Sequence, residues 1–197
     1  IYRGRLDENE AYRAAVSQTA GLACERGGMT ETLFIANCGG VGHSGHAAWG
    51  TEDHPGQGDK FLDLKPGGEG PKPGPAGLYD FLKKDSGAWC GGLGEAAHRW
   101  VAILNPADIL AKAGFEPEFV LDSLKVDGRD GSGYVRGVEL AVHRGMGPER
   151  KKTFRTDGVR TVLPGARSNL FVLMTRRSHP APLPSGEAPG VDEVILV

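Results

Sequence analysis

A stripe of apolar residues at Leu93, Ala96, Ala97, Trp100, Val101 and Leu104 has the i, i+3, i+4, i+7, i+8, i+11 spacing of a helix with one buried face. It predicts a helix over 93–104 and puts Cys90 one turn earlier, at the helix N-terminus and on its inward side. Unpaired N–H groups and the positive dipole end stabilise a thiolate there. Gly91, Gly92 and Gly94 let other backbone or a substrate approach closely. The same placement also suits a buried structural cysteine.

At 197 residues the chain can bury one sizeable core. With 31 glycines and 39% hydrophobic residues, the expected class is a loop-rich α+β fold rather than a helical bundle. The expected core is a few helices on an antiparallel sheet, with a β-rich C-terminal part. One compact domain over 1–197 is expected, with a possible subdivision into a helical, catalytic part (1–114) and a β-rich part (115–197).

The net charge of −2 argues against wholesale nucleic-acid binding. Between Arg144 and Arg177, however, nine basic residues face only Glu149 and Asp157. Arg150, Lys151, Lys152 and Arg155 are the densest part, either a solvated face or a surface for an anionic partner. Cys24, Cys38 and Cys90 are too few for a disulfide framework and form no C-x-x-C pair, which favours a reducing compartment. No apolar run has the length of a membrane span and no signal peptide is visible. The chain begins at Ile1 without Met, as would a segment cut from something longer. The expected location is the cytoplasm, or a host or target cell into which an effector or toxin domain is delivered.

Along the chain, Ile1–Leu6 reads as a short strand. Asp7 or Asn9 then caps a helix with Tyr12, Ala15, Val16, Thr19 and Ala23 on one side, ending at Gly27-Gly28. Thr32–Ala36, His46–Trp49 and Lys60–Leu64 read as strands. Pro66–Pro75 and Pro180–Pro189 read as irregular connections. A short helix is expected over Ala76–Lys84. Another starts at Asn105-Pro106-Ala107-Asp108, with Asn105 as cap and Pro106 at the first position; it buries Ile109, Leu110 and Ala113 and stops at Gly114. Strands are expected at Phe119–Val126, Tyr134–His143, Thr153–Arg155, Arg160–Leu163, Leu170–Thr175 and Glu193–Val197.

Gly42-His43-Ser44-Gly45-His46 admits three readings. A Gly-x-Ser-x-Gly elbow fails at His46 and lacks a following helix. His43, His46 and His54, with Glu52 or Asp53, supply enough ligands for a metal-dependent hydrolase, at no standard spacing. In the third reading His46 takes the proton of Cys90, and Asp63 on the returning strand orients the ring. Trp89 and Gly91, beside the thiol, would line a substrate groove. A rival order runs Cys90, His143, Asp157. It places the imidazole beside a basic loop, which disfavours its charged form. His98 falls on the polar side of the expected helix, away from the thiol.

The order His-strand, returning strand, Cys-helix resembles the circularly permuted papain-like proteins of the NlpC/P60 superfamily, with its lecithin:retinol-acyltransferase-like and PPPDE-type enzymes. Gly45-His46-Ala47-Ala48-Trp49 and Trp89-Cys90-Gly91-Gly92-Leu93 stand where those families carry the base and the nucleophile, although Trp89 replaces the Asn often found before the Cys. The likeness covers roughly Thr32 to Leu104. It implies a papain-like core and a thiol hydrolase or acyltransferase acting on a peptide, isopeptide or acylated substrate through an acyl-enzyme on Cys90, with no cofactor. The Cys90 backbone N–H and one neighbour would hold the oxyanion. Two alternatives remain open: a non-enzymatic binding module with a basic C-terminal face, and the metal-dependent hydrolase.

Overall fold

The computed structural model describes residues 9–22, 38–42, 62–84, 87–93, 98–176 and 190–197. The expected strands at 1–6, 32–36 and 46–49 lie outside the described residues, as do the ends of the first helix at 23–28 and the irregular stretch at 180–189. The chain divides into two units, Ile1–Ala36 and Asn37–Val197.

In the first unit, helix α1 runs Glu10–Gln18, and the Asn9 side chain accepts a hydrogen bond from the Tyr12 N–H at 3.0 Å. This is the side-chain cap expected of Asn at that position.

The second unit is α+β. Its described elements are α2 (Gly74–Lys83), a 3-10 turn (Trp89–Leu93), β1 (Ala102–Leu104), α3 (Pro106–Lys112), β2 (Phe119–Val126), β3 (Gly137–Arg144), β4 (Arg150–Arg155), α4 (Asp157–Val162), β5 (Leu173–Arg176) and β6 (Glu193–Leu196). They form two antiparallel three-stranded sheets, β2-β3-β4 and β1-β6-β5.

The α3 helix follows its sequence signals. Asn105 accepts from the Ala107 N–H at 2.9 Å, Pro106 opens the helix, and Gly114 ends it at φ 79°. The Phe115 N–H returns to the Leu110 carbonyl at 2.9 Å, which closes the helix end around a left-handed glycine.

Two expectations are corrected. The predicted helix over 93–104 does not run through: its last three residues are strand β1, paired Ala102↔Leu196 and Leu104↔Val194. Val101 and Ile103 are exposed while Leu104 is buried, a period of two that the pairing imposes. Pro106 also pushes the residue before it towards extended backbone. The expected strand at Arg160–Leu163 is instead mostly helix α4. Val159, Val162 and Leu163 are all fully buried, and their i, i+3, i+4 spacing outweighs the β preference of valine.

The main core gathers Ile109, Leu121, Leu140, Val159, Phe171 and Leu196 between the two sheets and the helices α3 and α4. A smaller cluster joins Val41, Leu78, Phe81 and Leu82 to Tyr134, Leu170 and Val172. Because it draws from both sides of residue 114, packing offers no boundary there. Along β2 the register shifts between Leu121 and Ser123, leaving Asp122 as a bulge. Beyond the bulge, the Val191 N–H donates to the Leu121 carbonyl at 2.8 Å. Among the described residues no helix is long and apolar enough to cross a membrane.

Candidate functional site

Three short pieces of chain lie side by side in front of the smaller cluster. Val41 bridges Leu62, and Leu64 bridges Ala88. The Asp63 N–H donates to the Gly40 carbonyl at 3.1 Å, and the Asp63 carbonyl accepts from the Trp89 N–H at 3.2 Å. Asp63 is thus the centre of a three-ply strip, with Cys38 at one margin and Cys90 at the other.

The Cys38 thiol donates to Asp63 Oδ2 at 3.3 Å, and the two sulfurs lie 3.5 Å apart. That spacing is far beyond a disulfide bond of about 2.05 Å, and neither cysteine is in a disulfide. Cys38 begins a turn through Gly39 (φ 65°) and Gly40 (φ 89°), conformations that glycine adopts without a Cβ clash. The turn aims the Gly40 N–H at the Cys38 sulfur, 3.4 Å away. Burial, followed by the neighbouring Cys90 and Asp63, pushes the Cys38 thiol up to about 12 against the partial relief from the Gly40 N–H.

On the other side, His98 Nδ1 lies 3.6 Å from the Cys90 sulfur, and both residues are buried. This corrects the expectation that His98 faces away. A straight α-helix would separate positions 90 and 98 by about 12 Å along its axis. The contact is therefore incompatible with one straight α-helix over 90–98, and residues Trp89–Leu93 form a 3-10 turn instead.

Arg99 fixes this arrangement. One guanidinium nitrogen donates to the carbonyls of Gly39 at 3.2 Å and His98 at 2.9 Å, while the group stacks 5.4 Å from the Phe81 ring centroid. A single cation thereby ties the histidine segment to the Cys38 turn. Tyr134 holds the same turn from below, donating to the Val41 carbonyl at 2.8 Å. Burial holds its phenol above the ordinary range.

One space adjoins the cluster, and a second lies along the segments 65–70 and 77–84 and at Gly87. A cavity of about 70 Å³ is lined by Cys38, His98, Arg99, Tyr134, Arg167 and Ser168 among others. An open groove of about 540 Å³ is lined by Lys65, Gly68, Gly70, Lys84 and Gly87 among others. Trp89 flanks it: the ring is 60% exposed and the Lys65 ammonium sits 6.0 Å from its centroid.

Of the residues singled out in the sequence, Cys90 and Asp63 come together. His43, His46 and His54 lie outside the described residues. His143 is engaged elsewhere: its Nδ1 is 2.6 Å from Asp122 Oδ1 on the neighbouring strand, where the bulge presents that carboxylate. Its acidic partner is therefore Asp122, while Asp157 opens α4. Gly91 stands against His98, since a Cβ built on it would meet Nε2 at 3.4 Å.

Cys38 and His98 escaped the sequence reading. The available signal was a repeated Cys-Gly-Gly, at 38–40 and 90–92.

The four basic residues of β4 are each engaged within the chain. Arg150 stacks over Phe119, and Lys151 pairs with Glu139 at 3.2 Å. Lys152 donates to the Ala113 carbonyl at 2.6 Å beneath the rings of Phe115 and Phe154, and Arg155 pairs with Asp127 at 3.0 Å.

No protein-family model, curated protein or solved structure matches the chain.

Proposed function

We propose that the protein is a cysteine-dependent hydrolase or acyltransferase in which Cys90 attacks a peptide, isopeptide or acyl carbonyl. The observation that carries this reading is the 3.6 Å contact between the Cys90 sulfur and His98 Nδ1. The imidazole takes the thiol proton as the sulfur–carbon bond forms, then returns it to the departing amine or alcohol. Water, or an acceptor nucleophile, releases the acyl group by the reverse proton path. Asp63 acts as a positioning residue, setting Cys38 and the strip beside the thiol. Exposed Trp89, the residue before the reacting sulfur, gives an extended substrate a surface to lie on. His98 takes the role that the sequence pattern assigned to His46.

The test is site-resolved alkylation of Cys90 by iodoacetamide in chelator-treated protein, read by mass spectrometry across the neutral pH range. The expected result is a rate at neutral pH that falls about 100-fold or more in His98→Gln, within the usual contribution of a general base, and an acyl-probe adduct on Cys90 alone. Equal rates in the two proteins, with folding intact, overturn the reading.

A further inference from the structure

We propose that Cys38, Asp63 and Cys90 form a three-ligand zinc site whose fourth position is left to a water or an added ligand. The inference goes beyond the thiol chemistry above and stands without it, although it uses overlapping side chains. Cys38, Asp63 and Cys90 place their donor atoms within 4.8 Å of one another. Tetrahedral zinc, with the usual Zn–S, Zn–N and Zn–O lengths, holds two sulfurs about 3.8 Å apart and a sulfur about 3.6 Å from a nitrogen or oxygen. The contacts here are 3.5 Å between the sulfurs and 3.3 Å from Cys38 to Asp63. Both lie within about 0.3 Å of the edges of that tetrahedron.

Donor chemistry narrows the metal. Two thiolates with a carboxylate suit zinc and disfavour magnesium or calcium, which prefer all-oxygen sites. Such an arrangement also answers a physical difficulty of the metal-free cluster. Two sulfur acids and a carboxylate in mutual contact repel one another once ionised, whereas a dication converts that repulsion into attraction. The Gly40 N–H aimed at the Cys38 sulfur is a donor of the kind that supports a metal-bound thiolate.

Binding displaces the two thiol protons to solvent and forms two zinc–sulfur bonds, with no change of oxidation state. It also ties up Cys90, so the metal-loaded chain cannot start acyl transfer. Zinc is thereby a reversible block on the thiol, acting at the same sulfur.

The probe is cobalt(II) titrated into the chelator-stripped chain. One equivalent is expected to produce a thiolate-to-cobalt absorption band with tetrahedral visible bands, and zinc is expected to abolish both. Cys38→Ser and Cys90→Ser should each weaken binding at least about 100-fold and Asp63→Asn about 10-fold or more, with His98→Ala giving the smallest loss. Asp63→Asn keeps the side-chain shape, and circular dichroism without metal checks that each variant folds. No thiolate band in the folded wild-type chain, or an unchanged titration in folded Cys38→Ser and Cys90→Ser, overturns the site. Cobalt binding alongside His98-independent alkylation of the stripped protein removes the thiol enzyme and keeps the metal. His98-dependent alkylation with no cobalt band does the opposite.

Discussion

The main core and the cysteine strip are held by different forces. In the core, β2 and β3 share a long ladder and β3 and β4 another, and Phe171, Leu140 and Ile109 are wholly shielded from water. Each such side chain contributes roughly 1.5–3 kcal/mol by burial. The strip has isolated bridges in place of ladders, a small apolar backing, and two polar anchors, Arg99 and Tyr134. A fold built this way spends its apolar residues on the scaffold and leaves the reactive groups to be placed by a handful of hydrogen bonds. Stability and site geometry are therefore separable.

The largest expected effect breaks the scaffold. Phe171→Ala should cost about 3–5 kcal/mol, seen as a lower urea midpoint, with the sheet and the strip lost together. If the strip melts first, at an unchanged core midpoint, the two regions are less connected than the shared chain implies.

A smaller change should separate them. Tyr134→Phe removes the donor to the Val41 carbonyl and leaves that carbonyl short of a partner, at a cost of about 1–3 kcal/mol. Cobalt binding and Cys90 reactivity should change more than the core midpoint does. An equal loss in both would show that the anchor serves the whole fold.

The pH response sharpens the contrast further. The folded Cys38 thiol is raised from 9.0 to about 12, so the folded state keeps its proton where the unfolded chain loses it. The resulting stability is fully present below about pH 9 and drains away as pH rises towards about 12. Urea midpoints of metal-free protein should fall across that window, and Cys38→Ser should flatten the fall. A wild-type curve no steeper than that of the variant removes Cys38 as its source.

The smallest effect belongs to the scaffold's surface. Arg155 and Asp127 meet at 3.0 Å with both side chains well exposed. Arg155→Ala should therefore cost under about 1 kcal/mol and leave cobalt binding alone. A larger loss would mean that the β4 charges carry weight that their exposure argues against.

The contrast also explains which features the sequence disclosed. Helix α3 was legible because Asn105, Pro106 and Gly114 act locally. The strand at Phe119–Val126 was legible from its own short apolar run. By contrast, β1 was hidden because its partner β6 lies at the far end of the chain, and pairing rather than propensity decides its state. Helix α4 was hidden because its buried residues are β-branched valines. In the site, Cys90 stood out as a thiol before an apolar helical stripe, and Asp63 as a carboxylate on an expected returning strand. Cys38 and His98 did not, since Cys38 lies 52 residues from Cys90 and His98 reaches the sulfur only once the expected helix gives way.

The outer strand of the β2-β3-β4 sheet bears one more consequence. On β4, Arg150, Lys151 and Lys152 are three consecutive exposed residues, while the opposite margin of the sheet is met by Val191. Two copies brought together along β4 would set like charges against like before any inter-chain ladder could close. Among the described residues no further strand pairs with this margin; Coulomb repulsion guards it against templated aggregation, and the guard weakens as salt screens it.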